Sequence, residues 1–178
     1  MLTTGGPAPR TEAGRSGEVD TPVLRNPFLD RITLNKLGLY PQQYPDFLKD
    51  ETIRSRILDI ESKSNDTVVH LVRTVATLER WMWYKYDECR RIEDLPAKTL
   101  DKYLEEFYPL LRKPSGEDYT PDAFSNFRYY VERFLKMHKY PHSVSKSHAF
   151  LKSSLSFRRA RKAIALRREQ RNAKAQKF

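Results

Sequence analysis

Two apolar stripes with helical spacing, joined by a polar turn within residues 92–135, constrain the fold more than any other feature. In the first, Leu100, Tyr103, Leu104, Phe107 and Leu111 recur at three- and four-residue steps, which sets them on one face of a helix. Pro96 stands where a first helical residue belongs, behind Glu93 and Asp94, whose carboxylates favour the positive end of a helix dipole. The second stripe is Phe124, Phe127, Val131, Phe134 and His138, and Thr120-Pro121-Asp122 opens it with a capping hydroxyl, a proline and an acid. Between the stripes, residues 112–119 carry Pro114 and Gly116 and break the pattern. Pro109 has no amide hydrogen and clashes with the preceding turn, so the first helix is expected to end or kink at Tyr108.

The flanks read as further helices. Asp66 is the expected cap of a helix whose apolar face is Val68, Leu71, Val72, Val75, Leu78 and Met82. Val68, Val69, Val72 and Val75 also suit a strand, but the period lasts longer than most strands and favours helix. Upstream, Pro45-Asp46 opens a short helix through Phe47, Leu48, Ile53, Ile57, Leu58 and Ile60. Downstream, Ser147 caps a final helix on which Phe150, Phe157 and Ile164 lie seven apart, flanked by Leu151, Ala160 and Ala163. Residues 1–25, rich in glycine, proline and small polar side chains, are expected to be disordered. Residues 26–62 form an arm with the short helix, 63–164 a helical domain and 165–178 a basic tail.

The net charge of +10 is concentrated at the end of the chain. From Arg158 onward nine basic residues face Glu169 alone, while the preceding 157 residues hold 24 basic against 22 acidic. Three readings of that tail stand side by side: a solvated end, a nuclear import or nonspecific polyanion signal, and a helix that contacts nucleic acid. If the helix continues, Arg158, Arg161, Lys162 and Arg168 project from overlapping faces able to touch successive phosphates, with Arg159 beside them. A single cysteine, Cys89, makes no internal disulfide and fits a reducing compartment. No apolar run approaches the roughly 18 residues that cross a bilayer, and the first twenty residues lack a secretory segment. An intracellular protein without membrane contact is expected. Four histidines and one cysteine offer no zinc-site spacing, and no glycine-rich phosphate loop occurs, so no metal or cofactor is expected.

An ordered set of features in the central hundred residues carries a resemblance. It comprises the acidic-Leu-Pro start, the Leu-Asp-x-Tyr-Leu-x-x-Phe helix at Leu100–Phe107, the Arg112-Lys113 pair, Gly116-x-x-Tyr119-x-Pro121 and a second aromatic helix. Together with Asn65-Asp66-Thr67, Trp81, Trp83, Phe150 and Phe157, it resembles the N-terminal, SAM-like core-binding domain of Crypton-type tyrosine recombinases and of host proteins derived from them. The expected fold is all-α: a small four- to five-helix orthogonal bundle with a disordered N-terminal tail and a basic C-terminal helical extension. The resemblance implies duplex DNA as partner, gripped by Arg112, Lys113, Lys146 and Lys152, with Arg128 and Arg133 as weaker contacts. It also implies a nuclear setting and a monomer in solution.

The catalytic half of such recombinases is not expected here. It needs a tyrosine nucleophile with arginines, a lysine and histidines in a second domain, whereas only a basic tail follows Ile164. His70-Leu71-Val72-Arg73 matches a His-x-x-Arg string but falls inside the first long helix, upstream of the implied domain. Two alternatives remain open. One is a nuclear scaffold that meets protein partners through Trp81, Trp83, Tyr84 and residues 26–44; the other is an incomplete gene model of an active recombinase.

Overall fold

A computed structural model describes residues 44–176 of the chain, and in it every regular element is helical. The expectations for residues 1–25, and for the part of the arm before Tyr44, lie outside the described residues. Five α-helices follow one another: α1 (Asp50–Ser55), α2 (Asn65–Tyr86), α3 (Ala97–Phe107), α4 (Pro121–Met137) and α5 (Leu151–Ala175). Short 3₁₀ turns at Asp46–Leu48, Ile60–Ser62, Ile92–Asp94, Tyr108–Leu110 and His148–Phe150 fill the joints.

The helix ends follow from local chemistry, with several departures from the sequence reading. The cap of α2 is Ser64 rather than Asp66. Its backbone is extended (ψ 150°), and its Oγ accepts a hydrogen bond from the Thr67 amide at 3.3 Å. Asp66 sits instead in the first turn, where it faces the positive end of the dipole. The stretch expected as one helix from Pro45 to Ile60 is broken, with Lys49 extended and Asp59 left-handed at φ 48°. Leu48 and Ile53 are five residues apart, which on one continuous helix points them about 140° from each other; the break lets both face inward. Leu58, expected on that apolar face, is exposed.

The stop before Pro109 and the Thr120 cap match expectation, whereas Pro96 precedes α3 with an extended ψ of 143° instead of being its first helical residue, and Ser147 caps the 3₁₀ turn ahead of α5. α3 stops at Phe107, and Pro109 is held in the following 3₁₀ turn, where no amide hydrogen is required of it. The Thr120 hydroxyl accepts from the Ala123 amide (3.2 Å) ahead of Pro121. The Ser147 hydroxyl accepts from the Ala149 amide (3.2 Å). The start of α5 is then fixed from a distance, because the Ser153 amide donates to the buried Asp101 carboxylate of α3 at 2.9 Å. Between α3 and α4, Gly116 adopts φ +85° to close a tight turn, donating its amide to the Lys113 carbonyl at 2.8 Å.

One core joins all five helices, including Ile53 and Ile57 from the α1 region. Its centre is aromatic: Tyr108 packs edge-on to Phe157 (5.2 Å), Phe157 stacks on Phe124 (5.1 Å), and Phe107 meets Trp81 edge-on (5.3 Å). Phe150, Phe157 and Ile164 all point into this core, so the seven-residue spacing reads correctly. Leu151 does not join them. It lies about 120° around the helix from Phe157 and is 53% exposed. Trp81, suggested as part of a partner surface, is 2% exposed and belongs to the core, because α2 points it between α3 and the end of its own turn. Trp83 is half-buried, with its ring edge toward Tyr44 at 6.1 Å, and Tyr84 is exposed.

Candidate nucleic-acid interface

Charge is sorted along the described chain. Residues 44–137 hold sixteen basic against eighteen acidic side chains, whereas residues 138–176 hold eleven basic against Glu169 alone. α5 carries nine of those eleven and runs unbroken past Ile164 to Ala175, so the basic end is a rod anchored in the core.

The basic residues singled out from sequence divide into two groups. The first is tied up within the protein. Arg112 donates to the carbonyls of Pro109 (3.0 Å) and Leu111 (2.8 Å) and lies 3.2 Å from Asp118. Lys113 is 3.8 Å from Glu117. Arg128 lies with its guanidinium 4.5 Å from the centre of the Phe157 ring and donates to the Ser145 carbonyl at 3.2 Å. Arg161 donates to Ser125 Oγ at 2.9 Å and sits 3.7 Å from Asp122, which fastens α5 to the first turn of α4.

The second group comprises Lys146, Lys152, Arg158, Arg159, Lys162 and Arg168. All six are exposed and make no side-chain hydrogen bond or ion pair among the described residues. At 100° per residue, Arg158, Arg159 and Lys162 fall within an arc of about 100° opposite the face of Phe157 and Ile164. Arg168 points toward the packed side of the helix but lies beyond Ile164, where that side is uncovered. Lys152 to Arg168 spans roughly 24 Å of helix axis. Interleaved with these cations are three exposed leucines, Leu151, Leu155 and Leu166.

An anchor that sequence reasoning passed over holds the distal part of α5. Asp118, in the turn before α4, accepts two hydrogen bonds from Arg167 (2.7 and 2.9 Å), with Arg171 at 3.7 Å and Arg112 at 3.2 Å. The Arg167 hydrogen bond holds the Asp118 carboxyl below its ordinary pKa against the opposing effect of burial, and the charges of Arg112, Arg167 and Arg171 add to the lowering. The i, i+4 spacing of Arg167 and Arg171 is legible in sequence, but nothing nearby names Asp118, 49 residues earlier, as their partner.

Among the described residues no cluster of three metal-capable side chains occurs, and no helix is long and apolar enough to cross a membrane. The chain matches no family model, and comparison with curated proteins and with solved structures returns no match.

Proposed function

We propose that the chain binds duplex DNA through the outer face of α5, and that it does so without catalysis. The observation that carries this reading is the uncompensated set Arg158, Arg159 and Lys162, with Lys152 behind them, on a helix whose opposite side is locked into the core, extended by Arg168 on the uncovered stretch beyond Ile164. A phosphate backbone is the polyanion such a row fits. Each contact releases condensed counterions, and anchored side chains lose less freedom on binding than a solvated tail would. The reading agrees with what the resemblance to recombinase core-binding domains implies, and with it goes a nuclear location. Arg112 and Arg128 are poorer contacts than that resemblance suggests, since each would give up a partner inside the protein.

The deciding experiment is titration of a blunt duplex across a salt series. Affinity should fall steeply with salt. Replacing Arg158, Arg159, Lys162 and Arg168 together by Ala should flatten the log–log slope by up to about 3.6, at roughly 0.9 for each phosphate no longer neutralised. A slope unchanged by that variant, or an affinity indifferent to salt, refutes the reading.

A second reading rests on a specific observation. Leu151, Leu155 and Leu166 line the same side of α5 as the free cations, and an apolar ridge flanked by positive charge also suits an acidic amphipathic partner helix. Replacing the three leucines by Ser separates the two. Duplex affinity should survive on the DNA reading, and partner capture should be lost on the other.

A further inference from the structure

A second exposed face, on α2 and α4, carries an arrangement of rings and cations that α5 does not use. His70 of α2 stacks on Tyr130 of α4, centroids 5.1 Å apart and planes 15° from parallel. Tyr130 in turn meets Tyr129 edge-on at 5.2 Å. Tyr129 is 54% exposed, the most open large ring among the described residues. Such exposure costs apolar surface in water, and its neighbour is already braced by a stacked histidine, so the outermost ring is presented on a supported base.

The charge around these rings has one prevailing sign. Arg133 lies one turn beyond Tyr129 and Tyr130 on α4, Lys136 shares the outward side, and Arg73 lies one turn beyond His70 on α2. None of the three makes a side-chain hydrogen bond or ion pair among the described residues, although Arg73 is close enough to Tyr119 to affect its titration electrostatically. The acid sharing the outward side of α2 is Asp66, a turn before His70. Glu132 of α4 is turned toward the segment that links α4 to α5 and accepts from the Ser145 amide at 3.0 Å.

We infer that this face is a stacking platform for an unpaired base of single-stranded nucleic acid, with Tyr129 under the base and Arg133, Lys136 and Arg73 toward its phosphates. Every base has a flat face that stacks on an open aromatic ring, whereas a closed duplex offers its base faces only at its ends. The cations favour a polyanion over a neutral peptide, and the near absence of exposed aliphatic side chains beside the rings (Val69 is one) disfavours an apolar protein interface. The inference does not depend on α5. If both faces act, the chain would hold a duplex with one and a separated strand with the other.

The test uses the full chain, a fluorescently labelled twelve-nucleotide oligothymidine strand, and a blunt duplex at one fixed salt concentration. Tyr129→Ala should weaken binding of the single strand by roughly 5- to 150-fold, the range seen when one stacked base is lost, and leave duplex affinity where it was. Tyr129→Phe, which keeps the ring, should bind the single strand like the parent, and Arg133→Ala should bind it more weakly. Because Tyr129 is exposed, all three variants should retain the parent's circular dichroism spectrum. The α5 quadruple variant should lose duplex binding yet keep a Tyr129-dependent affinity for the strand. Failure of the parent to bind the duplex with that affinity intact would therefore discard the α5 reading and spare this one. Parent protein that does not retain oligothymidine, or Tyr129→Ala retaining it unchanged, overturns the inference and would return the patch to the class of protein contacts.

Discussion

Two charge clusters in this bundle are built with inverted stoichiometry. Near α1, one arginine serves two carboxylates: Arg56 donates to both oxygens of Glu79 (2.8 and 2.7 Å) and to Glu93 (3.1 and 2.6 Å). All three side chains are nearly free of solvent, and Glu79 also accepts from the Ile92 amide at 3.0 Å. Burial works against the charge on Arg56, but the two carboxylates outweigh it and hold its pKa above the ordinary value. At α5 the ratio reverses, with one carboxylate, Asp118, serving Arg167, Arg171 and Arg112, two of which are largely in water. The first cluster has every charge committed and walled in. The second has more cation than its acid can satisfy, facing solvent, where a polyanion can compete for it.

Three substitutions break or sharpen that contrast. The largest effect belongs to Glu79→Ala, which leaves the buried Arg56 guanidinium with Glu93 alone and takes the acceptor from the Ile92 amide, and should cost about 3–5 kcal/mol in a urea melt. A loss below about 1 kcal/mol would mean the cluster is solvated and the contrast false. Next comes an uncharged control inside the aromatic centre. The Tyr108 hydroxyl is buried without a hydrogen-bond partner among the described residues, and burial raises its pKa. Tyr108→Phe should therefore raise stability by about 1 kcal/mol, which calibrates what an unmatched polar group costs in this core.

Asp118→Asn should cost less than about 1 kcal/mol, since two of the three arginines it holds, Arg167 and Arg171, are exposed and screened. Its pH dependence has a definite sign. The carboxyl's pKa is lowered on folding, so its stabilisation is complete above the ordinary value of 3.8 and disappears as pH falls through the lowered folded value. Thermal melts of parent and Asp118→Asn should thus differ at neutral pH and converge in strong acid. If α5 binds DNA, the same variant, freed of one negative charge, should bind duplex a few-fold more tightly rather than less.

What could be read from the chain alone was what short range decides. Thr120-Pro121, the stop at Pro109 and the spacing of Phe150, Phe157 and Ile164 are set by neighbours a turn or two away. The fold class follows from those stripes. Arg56 was not legible because its partners lie 23 and 37 residues off, and on its own short helix it looks like any solvated arginine. The same distance hid the Asp118 anchor and the pairing of His70 with Tyr130, sixty residues apart. Leu151 was misjudged for a subtler reason: it neighbours Phe150, yet one residue moves the side chain about 100° around the axis. For the site, sequence composition located the basic helix but not which of its arginines remain uncommitted. That depends on where acids from other helices happen to arrive.

The bond from the Ser153 amide to Asp101 has a mechanical consequence. With the Arg167–Asp118 bonds it clamps the helix at two points fourteen residues, or roughly 21 Å, apart, so the tilt of α5 is set jointly by α3 and by the turn before α4. Loosening either clamp would let the row of cations turn as one rigid piece and change its alignment with anything lying along it.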